Sequence, residues 1–191
     1  MFSNLQEFKI VLASNSPRRQ SLLKEMGVNF SVQASRGEEN YPDTLTANKV
    51  AEFLAIQKAD WFTDFQNNEL YITADTVVIL DDEVLGKPND ENEAKIMLRK
   101  QSGRTHQVIT GICLKSSSKQ ESFSVSTEVT FKELSDFEIA YYVNNYKPFD
   151  KAGAYGIQEW IGMIGISGIK GSYFNVVGLP TDALFDAFKT F

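Results

Sequence analysis

The chain has 191 residues, 42% of them hydrophobic, enough to bury a sizeable core in one domain and too many for a disordered segment. Its formal net charge of −6 excludes a general nucleic-acid binder or membrane-surface protein, which carry a basic footprint, so any anion site must be local. A lone cysteine, Cys113, excludes an internal disulfide and a cysteine-rich zinc site. Neither a leader-like segment nor an apolar run long enough to span a bilayer is present, so a cytoplasmic protein is expected.

In chain order, Lys9 to Ala13 reads as a buried strand, and SNSPRR, from Ser14 to Arg19, as the loop that leads it into a helix. Ser16 is a favourable N-cap and Pro17 suits the first helical position. Leu22, Leu23 and Met26 supply an apolar side, and Gly27 closes the helix. Arg18 and Arg19 fall in the first turn, where the helix dipole is already positive and each cation loses about 0.3 to 1 kcal/mol unless an anion faces it. Backbone N–H groups at the helix start and two guanidinium groups make a polyphosphate site without a glycine-rich loop, with a solvated basic turn as the competing reading. Ser21 to Lys24 also spells S-x-x-K, but neither K-T-G nor S-D-N occurs and the amphipathic helix already explains these residues.

Phe30 to Ala34 alternates like a second strand, followed by an acidic loop from Arg36 to Asp43 in which Glu38 and Glu39 are, on spacing alone, plain surface charge. Thr46 to Phe62 has helical period, with Val50, Phe53, Leu54 and Trp61 on one face. Lys58 lies about 80° round the wheel from Val50, so its ammonium either points at the core or a cleft or snorkels to the edge. Leu70 to Leu80 is the strongest strand and holds one discordant residue, Asp75. A carboxylate buried there needs a metal, a cation or backbone N–H groups, and a chemical role is favoured over a structural one. Asp81 and Asp82 turn the chain into a short returning strand that ends in Gly86, Lys87 and Pro88. This GKP lacks the upstream glycine and following hydroxyl of a phosphate loop, which leaves Lys87 as a point charge expected near Asp75.

Asp90 and Glu93 form a capping-box pattern for a helix to about Lys100, ended by Ser102 and Gly103. His106 to Leu114 and the alternating Phe123, Val125, Thr127, Val129 and Phe131 are expected to pair through the polar tract Ser116 to Gln120. His106, the only histidine, reads as a structural hydrogen bonder and Cys113 as a small buried side chain. Ser135 and Glu138 cap another helix. DKAGAYGIQ, from Asp150 to Gln158, suits close backbone approach, either to a ligand or within a tight loop. Apolar strands near Trp160 to Ile166 and Tyr173 to Val177 and a C-terminal helix from Thr181 complete the reading.

Seven of these stretches together resemble the Maf family of nucleoside triphosphate pyrophosphatases over nearly the whole chain. They are LASNSPRR (Leu12 to Arg19), LAIQKA (Leu54 to Ala59), ADTVV (Ala74 to Val78), GKP (Gly86 to Pro88), SGRTH (Ser102 to His106), DKAGAYGIQ and GSYFNVVGLP (Gly171 to Pro180), in family order. DKAGAYGIQ looks like the branch that hydrolyses dTTP and UTP. The acidic motif, commonly Asp-Glu, reads Glu38–Glu39 here, with Glu39 taken as the matching position, and Glu159 stands where a glycine often follows the glutamine.

The resemblance implies an α/β fold over residues 1–191, a long mixed sheet flanked by helices, with two lobes and a central cleft, similar to inosine triphosphate pyrophosphatases. It further implies Asp75 as proton acceptor, Glu39 and Asp75 as ligands of Mg²⁺ or Mn²⁺, and Lys58 and Lys87 as catalytic cations. Ser14, Ser16, Arg18, Arg19, Thr76 and Gln158 are the implied substrate-binding positions. The expected partners are a nucleoside triphosphate and a second copy in a homodimer, with no nucleic-acid polymer and no membrane. A nucleotide-binding regulator of septum formation that does not turn over is the alternative.

Overall fold

The computed structural model describes residues 5, 7–34, 37–64, 66 and 68–191; Arg36, which opens the acidic loop, lies outside them. The strands are β1 (Lys9–Leu12), β2 (Phe30–Val32), β3 (Glu69–Leu80), β4 (Glu83–Leu85), β5 (Thr105–Lys115), β6 (Gln120–Phe131) and β7 (Ile166–Lys170). The helices are α1 (Pro17–Glu25), α2 (Ala47–Asp60), α3 (Glu91–Gln101), α4 (Asp136–Tyr146), α5 (Trp160–Gly165), α6 (Tyr173–Val177) and α7 (Thr181–Thr190), with a 3-10 turn at Ala152–Ala154. One sheet runs β2-β1-β3-β5-β6-β7, with β4 on β3. β1 is parallel to both β2 and β3, a pairing that needs crossover connections such as α1 and α2, whereas β3–β4 and β6–β7 are antiparallel. This is the mixed α/β architecture expected, flanked by helices. Asp81 and Asp82, both at positive φ, make the tight turn between β3 and β4.

By compactness the chain divides into two units. The first comprises Met1–Asp75, Thr110–Val125 and Gly178–Phe191, so β3 gives it residues 69–75. Its core holds Leu12, Leu23, Leu54, Leu70, Ile72, Ile112 and Phe188, all nearly or fully buried. Helix α2 lies directly on β5 at Gly111, where an added Cβ would stand 2.3 Å from the backbone of Ala51. Only glycine permits that approach, and it carries the later turns of α2 in against β3. Cys113, fully buried, has its thiol pushed up to about 12 by burial, so it is the inert apolar filler expected.

The second unit comprises Thr76–Ile109 and Ser126–Val177. Two of its helices, α3 and α4, start where the sequence predicts, α4 with a complete capping box at Ser135 and Glu138. At α3 the Asp90 side chain accepts the Glu93 N–H, while the Glu93 carboxylate reaches one residue further back, to the backbone and side-chain amides of Asn89. His106 is buried, hydrogen-bonded to the Tyr155 hydroxyl at 2.7 Å and stacked on Phe131. Its structural reading therefore holds.

Burial lowers the His106 pKa to about 4, from 6.5. Below 6.5 the unfolded chain takes up a proton that the folded chain refuses, so stability present above that pH is lost progressively as pH falls towards 4. The expected loss across this window is about 3 kcal/mol. Urea unfolding at pH 7 and pH 4.5 checks it: His106→Gln should be less stable at pH 7 yet lose less than the native chain on acidification. Equal losses in the two proteins would refute the assignment.

Two elements differ from the sequence expectation. Trp160–Gly165 is helix, not strand. Ile161 and Gly165 are buried while Met163, which a strand would place on the same face, is 72% exposed, a spacing that only a helix produces. Tyr173–Val177 is also helix, and Ser172 starts it by accepting the Asn175 N–H at 3.4 Å. Short apolar runs of this kind carry no period that separates the two states.

Candidate functional site

The first unit gathers most of the chemistry. The Ser16 side chain caps α1 by accepting the Arg19 N–H at 3.5 Å, and Pro17 opens the helix as expected. The Ser14 hydroxyl accepts from the Ser16 N–H and from an Arg19 guanidinium nitrogen, both at 3.3 Å. Arg19 also donates through Nε to the Gly178 carbonyl at 2.9 Å, so its fork is aimed by the protein rather than left to solvent. Burial lowers the Arg19 pKa, opposed by the charge of Asp75, with Arg18 lowering it further and Glu39 raising it. Arg19 thus feels Arg18 and both carboxylates of interest, and the solvated-turn reading of this stretch fails for Arg19.

Asp75 and Lys58 meet because strand and helix periods match. Thr73 and Asp75 share one face of β3, two residues apart, while Ala55 and Lys58 share one face of α2, three apart. Thr73 Oγ1 donates to the Ala55 carbonyl at 2.6 Å, and on the same faces Lys58 Nζ donates to Asp75 Oδ1 at 2.6 Å. Both side chains are buried, so the ammonium does not snorkel. Lys58 Nζ also stands 3.0 Å from Glu39 Oε1, which is how Asp75 and Glu39 come together around one cation. Glu38 and Glu39 are both exposed as residues, yet only Glu39 is held over the lysine among the ion pairs of the described residues.

Glu39 owes its position to a residue that the sequence reading passed over. The Gln57 side chain accepts the Asn40 N–H at 3.3 Å and donates to the Asn40 carbonyl at 2.8 Å. It therefore clips the loop one residue beyond Glu39 to the helix one residue before Lys58. At the other end of this loop Gly37 lies against the Trp61 ring, where an added Cβ would come within 2.5 Å. Only the position of Gln57 within LAIQKA hinted at this role.

The second unit carries the remaining candidates. Thr76 follows Asp75 on β3 and is half-buried, whereas Lys87 and Gln158 are exposed. The segments bearing Lys87 and Gln158 are tied by one backbone hydrogen bond, from the Gly153 N–H to the Gly86 carbonyl at 3.0 Å. Gln101 adds a bond from its amide to the Gly153 carbonyl at 2.7 Å. The close backbone approach expected of DKAGAYGIQ is real at Gly153, where a Cβ would stand 2.9 Å from Val78, so here it serves packing. Glu159 braces the same loop: Lys151 lies 3.1 Å from its carboxylate, the Tyr142 hydroxyl donates to it, and that hydroxyl accepts the Gly156 N–H at 2.9 Å.

Asp75 and Glu39 each bring a hard carboxylate oxygen to the same place, around Lys58 Nζ, a donor set that fits Mg²⁺ or Mn²⁺. Among the described residues no group of three or more potential metal-ligating side chains occurs, and such ions need only one or two carboxylates when phosphate oxygens complete the shell. Among the described residues no helix is long and apolar enough to cross a membrane.

A mixed α/β sheet, an acid–lysine centre on β3 and an arginine-bearing helix start define an α/β protein with a charged site whose cations are of the kind that can meet a polyanion. The chain belongs to the Maf family: the family model described as Maf-like protein matches residues 9–191. A relative from Phocaeicola vulgatus, named dTTP/UTP pyrophosphatase, is 56% identical over 191 residues, covering 99% of each chain. One of the same name from Flavobacterium psychrophilum is 52% identical over 93% of this chain and 91% of its own. A third, from Porphyromonas gingivalis, is 49% identical over 100% of this chain and 98% of its own.

Proposed function

We propose that this chain hydrolyses nucleoside triphosphates, dTTP and UTP by preference, to the nucleoside monophosphate and pyrophosphate. The observation that carries the reading is the buried Lys58 ammonium held between Asp75 and Glu39 in a family whose relatives bear that activity in their names. A triphosphate brings roughly four negative charges and sheds more onto the leaving pyrophosphate, so neutralisation is the main task. Arg18, Arg19 and Lys58 meet that charge, with Ser14 fixing the Arg19 fork, Ser16 shaping the helix start, and Lys87 as a further cation. Asp75 takes the proton of the attacking water; the water oxygen bonds to the α-phosphorus as the bond to the α,β-bridging oxygen breaks and pyrophosphate leaves. A divalent cation held by Glu39 and Asp75, Mg²⁺ or Mn²⁺, adds charge neutralisation at the phosphates when bound.

Gln158 is the proposed reader of the base, with Arg18 and Thr76 as accessory positions. Its carboxamide offers a donor and an acceptor, matching the carbonyl and N3–H of thymine or uracil, whereas cytosine presents an amino donor and a bare N3. The mismatch costs roughly 1 to 3 kcal/mol, so dTTP and UTP should be turned over about 5- to 150-fold more efficiently than dCTP. Pyrophosphate release from the common triphosphates, with Mg²⁺ or Mn²⁺ added, tests both claims. GTP or dCTP outrunning dTTP and UTP would overturn the Gln158 assignment, and nucleotide binding with no pyrophosphate from any of them would overturn the hydrolase.

A further inference from the structure

Lys58 Nζ lies 2.6 Å from Asp75 Oδ1 and 3.0 Å from Glu39 Oε1, the two carboxylates assigned above to a divalent cation. From this geometry we infer that Lys58 is the resident counter-cation of the nucleotide-free site, so that the metal enters only together with the polyphosphate; the inference rests on the reading of Glu39 and Asp75 as metal ligands. An ammonium this close to both carboxylates takes one oxygen of each, Asp75 Oδ1 and Glu39 Oε1, and offsets the negative charge that would draw a hard cation there. It is also buried, on a helix whose approach to the strand is fixed by the Thr73 bond to the Ala55 carbonyl, so in the nucleotide-free chain the carboxylates are the acceptors set before it.

The surrounding charge points the same way. Arg19 is coupled electrostatically to Asp75, Glu39 and Arg18, which sets three cations, Arg18, Arg19 and Lys58, against two carboxylates. A bare dication approaching this group is repelled, whereas a metal–triphosphate complex, still anionic, is attracted. Once phosphate oxygens arrive they supply the ammonium with new acceptors, and Asp75 and Glu39 are released to the metal. Lys58 then has two successive partners, carboxylates before substrate and phosphate after it.

Calorimetric titration of Mn²⁺ into the nucleotide-free full chain tests this without any turnover, so its outcome stands apart from whether dTTP is hydrolysed. Lys58→Met should bind Mn²⁺ at least about tenfold more tightly than the native chain, and adding Glu39→Gln should abolish the gain. Equal or weaker binding by Lys58→Met would overturn the inference. Should that variant not fold, the native chain decides alone: Mn²⁺ should raise its unfolding temperature only when α,β-methylene dTTP, which resists cleavage, is also present. A rise with Mn²⁺ alone, equal to that with the analogue, would overturn it equally.

Discussion

Asp75→Asn should lower pyrophosphate release from dTTP by about a hundred- to ten-thousand-fold and leave the chain folded. Asparagine keeps the shape of the side chain on β3 but neither accepts a proton at neutral pH nor offers an anionic oxygen to a metal. The fold should tolerate the change because Lys58 retains Glu39 at 3.0 Å, so the buried ammonium is not left without a counter-charge. Thermal unfolding and a single-turnover assay on the same preparation separate the two effects. A variant that hydrolyses dTTP at near the native rate would remove Asp75 from the chemistry and reduce its pairing with Lys58 to a structural bond.

What could be read in advance followed from periodicity and local chemistry. Asp75 stood out because it interrupts an apolar strand, and the structure gives it the cation that such a burial demands. Ser16, Ser135 and Asp90 were legible as caps because a side-chain oxygen three residues ahead of an N–H has only one common use. The two misread elements have a shared cause. Trp160–Gly165 and Tyr173–Val177 are too short for a period to show, and their state is set by tertiary packing. Gln57 and Glu159 were invisible as positioning residues for a different reason, since each acts on a partner, Asn40, Lys151 or Tyr142, whose nearness only the fold creates. Lys58 fell between these cases: the helical wheel left it either directed inward or snorkelling to the edge, and did not say what an inward ammonium would meet.

Lys58→Met should damage both activity and stability, and the two losses should combine differently with Asp75→Asn. For turnover the loss is about a hundred- to a thousandfold, because the removed charge faces the polyphosphate in a partly desolvated setting. For stability, breaking a buried ion pair by deleting one partner costs about 3 to 5 kcal/mol, but Glu39 is 39% exposed and can rehydrate, so about 2 to 3 kcal/mol is expected. Most of that penalty is the Asp75 carboxylate left in a buried place without its ammonium. Converting Asp75 to asparagine in the Lys58→Met background removes that charge, so the double variant should be no less stable than Lys58→Met alone, and by a urea cycle the coupling should reach about 1 to 2 kcal/mol. Activity gains nothing from the second change, since proton acceptor and cation are then both absent. Strictly additive stability losses would mean that the 2.6 Å contact contributes no net coupling, and the site would then rest on Glu39 and the arginines rather than on the Lys58–Asp75 pair.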